Sequence, residues 1–246
     1  MGVVAKRSAM TFYSDPTDHY SHCVRIVLAE KGVTVKIENL KRSELYTNDI
    51  SKELLELNPY GTIPTLVDRD LVLDVPIVMM EYLDERFPHP PLFSVYPVAR
   101  AKSRTLIHRI KKEWFPVIDL ILDPASSEEE KATARKGLAD GLTSISDVVA
   151  EKPFFMSDEL TVVDCCLAPI LWRLPILGIE LEGTKPRRNI QQYKERIFDQ
   201  DSFQASLSEE EKLMNPEHTE YSEKELRLSR SGSAVSGKTP PGARPF

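Results

Sequence analysis

The chain has 246 residues, a formal net charge of −6 and three cysteines, with 41% hydrophobic and 28% charged residues. A chain this long can bury well over half of the surface its unfolded state exposes, so one or two packed domains are expected. The acidic balance makes sequence-independent binding to nucleic acid repulsive overall, and a protein partner is the better expectation. No apolar run reaches the roughly 18 residues that span a bilayer, and the N-terminus lacks the apolar core of a signal peptide, so a cytoplasmic protein without membrane contact is expected.

In chain order, residues 1–9 read as a flexible N-terminus and residues 10–13 as a short strand leading to the turn Ser14-Asp15-Pro16. From Tyr20, Cys23, Val24, Val27 and Leu28 recur on one helical face until Gly32 stops the helix. Residues 33–37 alternate as a second strand, and residues 51–57 form a short helix ended by Asn58-Pro59. Residues 64–67 and 71–73 make a hairpin turning at Asp68-Arg69-Asp70. Pro76 then sits in the first turn of a helix running to Arg86. This order, βαβ, α, ββα, describes an α/β thioredoxin-like domain over 10–87. Pro88-His89-Pro90-Pro91 breaks helix and strand alike, so residues 88–95 read as a Pro-rich linker.

Residues 96–214 read as an all-helical domain. Leu106, Ile110, Trp114, Val117 and Leu120 fall at helical spacing, as do Leu138, Leu142, Ile145 and Val149 in a helix over 132–149. Thr161 and Asp164 have the spacing of a capping box, with Leu160 placed to staple onto Cys165; Pro169 is expected to bend or open the helix begun there. A last helix spans 189–198, and Asp201-Ser202-Phe203 reads as another capped start. The remainder, 215–246, is rich in Glu and Ser and then in Ser, Gly, Pro and Arg, and reads as a disordered tail.

Chemistry-bearing patterns are few. Cys23, Cys165 and Cys166 make neither a metal-ligand spacing nor a Cys-x-x-Cys pair, and read as core thiols. No metal cluster, Gly-rich phosphate loop or Ser-His-Asp arrangement is visible, and no cofactor is expected. Arg100, Arg104, His108, Lys111 and Lys112 fall three to four apart on one helix as a possible secondary basic surface. A solvated face is the plain reading of that stripe; a docking strip for an acidic partner is the sharper one.

Asn58-Pro59-Tyr60-Gly61-Thr62-Ile63-Pro64 with the helix at Pro76 resembles the glutathione-binding half of a glutathione transferase. The resemblance makes Pro64 the fold-defining cis-proline and places Asp18 at the catalytic position of the first helix. A carboxylate about 4 Å from a thiolate would oppose it by roughly 4 kcal/mol at an effective dielectric of 20. Tyr13 and Ser14 are alternative donors in another register. Val75-Pro76 stands where a Glu/Gln-Ser pair takes the carboxylate of glutathione, and it offers neither a polar side chain nor the proline N–H. Asp18, Val75 and Pro76 therefore read as degenerate glutathione-site positions, and no catalytic residue is assigned.

A more specific match lies in Tyr20-Ser21-His22-Cys23-Val24-Arg25, Ile63-Pro64-Thr65-Leu66-Val67, Phe87-Pro88-His89-Pro90-Pro91-Leu92, Tyr96-Pro97-Val98-Ala99-Arg100 and Asp164-Cys165-Cys166-Leu167-Ala168-Pro169. Over residues 5–213 the chain resembles the stringent starvation protein A family, RNA polymerase-associated regulators built on the glutathione transferase fold. The resemblance implies a homodimer that binds RNA polymerase holoenzyme with its sigma factor under starvation or acid stress, without sequence-specific DNA contact. It makes Pro88, His89, Pro90 and Tyr96 the partner-binding surface and allows a nucleotide alarmone or co-regulator. The insertion at 41–49 and the tail inherit nothing from it. Two alternatives stand beside this reading: a glutathione-dependent transferase or peroxidase of unusual register, and a non-catalytic scaffold for another protein.

Overall fold

A computed structural model describes residues 10–215. Strand β1 (Thr11–Ser14) lies inside a four-stranded sheet of order β2-β1-β3-β4, which is why Phe12 and Tyr13 on its two faces are both fully buried. β2 (Lys36–Asn39) pairs with β1 in parallel, Phe12 opposite Ile37. β3 (Thr65–Asp68) lies antiparallel to β1, and β4 (Leu71–Leu73) closes the hairpin antiparallel to β3. The sheet carries helices α1 (His19–Glu30), α2 (Asp49–Leu57) and α3 (Pro76–Arg86), giving the expected thioredoxin-like order.

The second strand differs from the expectation of 33–37. Gly32 in the left-handed region (φ 58°) ends α1, and the Val33 N–H returns to the Leu28 carbonyl, so pairing starts only at Lys36. Val33 and Val35 pack against the core before the strand begins, and on this edge strand Ile37 is 44% exposed. Alternation marked the right apolar residues and the wrong pairing window.

Residues from 97 onward are helical: α4 (Pro97–Arg109), a π-helical turn (Ile110–Trp114), α5 (Phe115–Leu122), α6 (Glu128–Ser144), α7 (Val148–Glu151), α8 (Val162–Leu177), α9 (Thr184–Phe198), α10 (Asp201–Ser206) and α11 (Glu209–Lys212). The π turn has a local cause. Pro116 has no N–H for the carbonyl four residues back, and the Phe115 N–H reaches Ile110, five back.

Several boundaries correct the sequence reading. α6 begins at Glu128 because Ser127 and Glu130 form a capping box, and it ends at Ser144, short of the expected Val149. α9 begins at Thr184 after Gly183 (φ 81°), five residues before the expected start. The cap of α10 is Gln200, without a side-chain bond, and Asp201 lies in the first turn. Pro169 does not interrupt α8, which runs unbroken through Pro169 and Pro175. Thr161 and Asp164 do form their capping box. The expected N-terminal segment and tail lie outside the described residues, except Asn215, which is buried and donates to the Trp172 carbonyl (3.4 Å).

The core is shared between the two halves. α1 packs on α3 of the sheet half and on α8 and α10 of the helical half, burying Cys23, Val24, Ile26 and Val27. Beside it lies a buried charge network that the sequence reading missed. Glu211 of α11 is fully buried and accepts from Arg25 of α1 (2.6 Å) and from Arg173 of α8. His22 Nδ1 lies 3.2 Å from the same carboxylate, and its Nε2 is 3.1 Å from Ser206 Oγ. Burial and the two arginines hold the His22 pKa well below its ordinary value.

Candidate functional site

The positions that resemble the thiol site of a glutathione transferase make contacts of their own within the chain. Asp18 caps α1, its carboxylate accepting from the Ser21 N–H (2.8 Å) and hydroxyl (2.9 Å). Burial raises the Asp18 pKa, with Arg42 partly opposing. Arg42, from the 41–49 segment, comes within 3.5 Å of the Asp18 carboxylate and donates to the Ile63 carbonyl (3.4 Å), with its guanidinium over the Tyr20 ring. The Ile63–Pro64 peptide is cis. Sequence reasoning gave Arg42 no role, because nothing in a segment without counterpart pointed it at Asp18.

The two alternative thiol donors are occupied or inaccessible. Ser14 is buried, and its hydroxyl accepts from Arg25 (2.6 Å). Tyr13 is buried too, and desolvation together with Glu53 pushes its phenol pKa up. At the N-terminus of α3, Val75 occupies the cap position with no side-chain bond and Pro76 follows at the first helical position. Cys23, Cys165 and Cys166 are buried free thiols, and burial raises the pKa of Cys23 and Cys165, which disfavours the reactive thiolate. Among the described residues no cluster of His, Cys, Asp and Glu could hold a metal, and no helix is long and apolar enough to cross a membrane.

The turn at Pro88, His89 and Pro90 is exposed throughout and includes a second cis peptide, His89–Pro90. Its far end is pinned. Asp84 of α3 accepts from the Leu92 N–H (2.8 Å) and the Phe93 N–H (3.2 Å), burying both apolar side chains. Lys31 at the end of α1 bonds Asp84 (2.6 Å) and also donates to the Pro90 carbonyl.

Next to the turn lies a largely apolar groove of about 670 Å³ between residues 91–106 and 155–163. Tyr96 stands on its rim, 73% exposed, with Val95, Val98 and Met156 also exposed. Met156 has φ 54°, which is uncommon outside glycine and is held here by paired backbone bonds between Phe154 and Ser157. A backbone bond from the Val162 N–H to the Leu92 carbonyl (3.1 Å) ties the two walls together. Sequence reading named Tyr96 but not the second wall, because residues 155–161 reach it only through the packing of α8.

Within the basic stripe, Arg100 pairs with Glu85 (2.8 Å) and Arg104 with Glu81 (2.6 Å), both on α3, so both arginines have acidic partners within the fold. Lys111 and Lys112 lie inside the π turn rather than on α4, so the expected single helix with a regular three-to-four repeat ends at Arg109.

These features define the class: a thioredoxin-like domain followed by a helical domain, the glutathione transferase architecture. Family models for the glutathione S-transferase N-terminal and C-terminal domains match residues 19–86 and 101–201. A Tau class glutathione S-transferase from mango superposes with a TM-score of 0.71 at 21% identity, covering 89% of this chain and 99% of that one. Closer in sequence are proteins named stringent starvation protein A homolog. That of Coxiella burnetii is 52% identical over 84% of this chain and 95% of its own length, and that of Pasteurella multocida 50% identical over 82% and 92%. The chain belongs to the stringent starvation protein A family.

Proposed function

We propose that this chain is a non-catalytic transcription regulator that docks on RNA polymerase holoenzyme and its sigma factor under starvation or acid stress. The observation that carries the reading is the exposed turn at Pro88, His89 and Pro90, held beside an apolar groove with Tyr96, Val98 and Met156 at its edge. Prolines limit the conformational freedom lost on binding, His89 can donate, accept or stack, and Tyr96 offers a rigid amphipathic anchor. Membership of the family supplies the partner. In this reading the protein works as a homodimer without sequence-specific DNA contact, and an alarmone or co-regulator is an optional further ligand.

The absence of transferase chemistry is part of the proposal. Asp18 is committed to capping α1, Arg42 lies against the Ile63 carbonyl, and Val75-Pro76 gives a carboxylate no side-chain donor. The purified protein is expected neither to be retained on immobilised glutathione nor to conjugate a chloronitrobenzene substrate.

The test is holoenzyme association by pull-down, comparing wild type with a variant in which Pro88, His89 and Pro90 are all alanine. All three are exposed, so circular dichroism should be unchanged while association is lost. His89→Ala alone should cost about 1–2 kcal/mol of binding. Equal retention of the folded wild type and triple variant overturns the assignment of this surface.

A further inference from the structure

The network beneath the exposed turn has a feature that stability alone does not explain. Lys31 and Asp84 form a buried ion pair, the lysine side chain fully enclosed, in a place where an apolar pair of similar size would usually hold the fold as well. Every strong contact the pair makes beyond itself goes to the backbone of one turn. Lys31 donates to the Pro90 carbonyl, and Asp84 accepts from Leu92 and Phe93, the residues that lead into the groove. A turn with proline at 88, 90 and 91 has few N–H groups of its own with which to make a hydrogen-bonded structure. Its shape is therefore fixed from below.

We infer that Lys31 is a positioning residue for partner docking: through Asp84 and the Pro90 carbonyl it holds the 88–93 turn in the form presented to the partner. This rests on the proposed docking surface, and it adds a residue that is itself inaccessible to any partner. Lys31 lies at the end of α1, which packs against α8 and α10. The presented turn is thereby coupled to the junction of the two halves rather than to its local strand and helix alone.

The test uses the full chain with Lys31→Met and Asp84→Asn combined. The double variant leaves no unpaired buried charge, and the introduced amide keeps an oxygen for the Leu92 N–H while its nitrogen faces the Phe93 N–H, so the Leu92 amide is the one that reports on the turn. Hydrogen exchange at the Leu92 amide and association with holoenzyme are measured together. The expected result is exchange at that amide at least about tenfold faster, association at least about tenfold weaker and an unchanged circular dichroism spectrum. Unchanged exchange shows that the pair does not order the turn, and faster exchange with unchanged association shows that the order does not matter for docking; either overturns the inference. If the double variant does not fold, Lys31→Arg retains a charge opposite Asp84 while displacing the donor from Pro90, and the same two readouts apply. Should wild type itself fail to bind holoenzyme, the proposed function falls. The exchange measurement still decides whether the Lys31–Asp84 pair holds the turn.

Discussion

Glu211 is a fully buried carboxylate set between two guanidiniums, and its removal would leave Arg25 and Arg173 facing each other without a counter-charge. Breaking a buried pair by deleting one partner costs about 3–5 kcal/mol. Glu211→Ala should therefore lower the unfolding free energy by about that amount in urea titrations, and Glu211→Gln, which keeps an acceptor, by less. The neighbouring histidines give a pH dependence. His19 and His22 are both held neutral, by burial first and then by nearby arginines, with pKa values well below 6.5. In the unfolded chain they take up protons as the pH falls through about 6.5, so below that point the unfolded state binds more protons and stability falls with pH. The slope is at most about 1.4 kcal/mol per pH unit for each histidine. Asp18, Asp119 and Asp164 oppose it at lower pH, because burial raises their folded pKa values and protonation then favours the native state. Urea titrations at pH 7.5 and 5.5 should show lower stability at 5.5, with a shallower difference in His22→Gln. None of this was legible in the sequence. Ser208-Glu209-Glu210-Glu211 looks like a solvated acidic run, and only the packing of α11 on α1 and α8 singles out its last member.

At the level of elements, the sequence carried most where a local signal had one physical outcome. Pro76 begins α3, Gly32 ends α1, and Thr161 with Asp164 caps α8, where Asp164 also accepts from the Phe155 N–H (2.8 Å). It carried least where two signals met. Leu106, Ile110 and Trp114 keep an apolar spacing across the junction of α4 and α5, but Pro116 forces a π turn there and shifts the facing of the residues beyond it. That turn places Trp114 against Gly141 of α6, where an added Cβ would lie 3.0 Å from the indole nitrogen. Gly141→Ile should therefore push the indole out of its seat, with an overpacking cost of about 1–3 kcal/mol. Trp114 and Trp172 are the two tryptophans of the chain, so in a Trp172→Phe background the fluorescence reports Trp114 alone. A shift of its emission on adding Gly141→Ile is the expected result; an unchanged spectrum with unchanged stability would show that α6 moves aside freely.

For the whole molecule, the two halves are joined less by the turn between them than by what crosses it. α1 belongs to the sheet by sequence but packs on α8 and α10, Asp84 and Lys31 bind the backbone that leads into the helical half, and α11 returns from the far end of that half to the buried arginines. The thioredoxin-like and helical halves were separately legible from their periodicities, whereas these contacts have large sequence separations and no pattern that marks them. If α11 is the clasp, its effect should exceed its four residues. A chain ending at Leu207 loses Glu211, the Ser208 hydroxyl that donates to the Pro16 carbonyl, and the Glu211 carbonyl that accepts from the Trp172 indole (2.7 Å). Compared with a chain ending at Asn215, it should melt roughly 10 °C lower, from a loss of about 3–5 kcal/mol at 2–4 °C per kcal/mol for a protein of this size. Circular dichroism and calorimetry of the two chains make the comparison. The loss should also make Arg25 in α1 and Arg173 in α8 exchange-labile together, because one carboxylate serves both. Equal melting temperatures would mean that the two halves hold together without α11, through the packing of α1 and the Lys31–Asp84 contacts, with Glu211 a passenger of that packing.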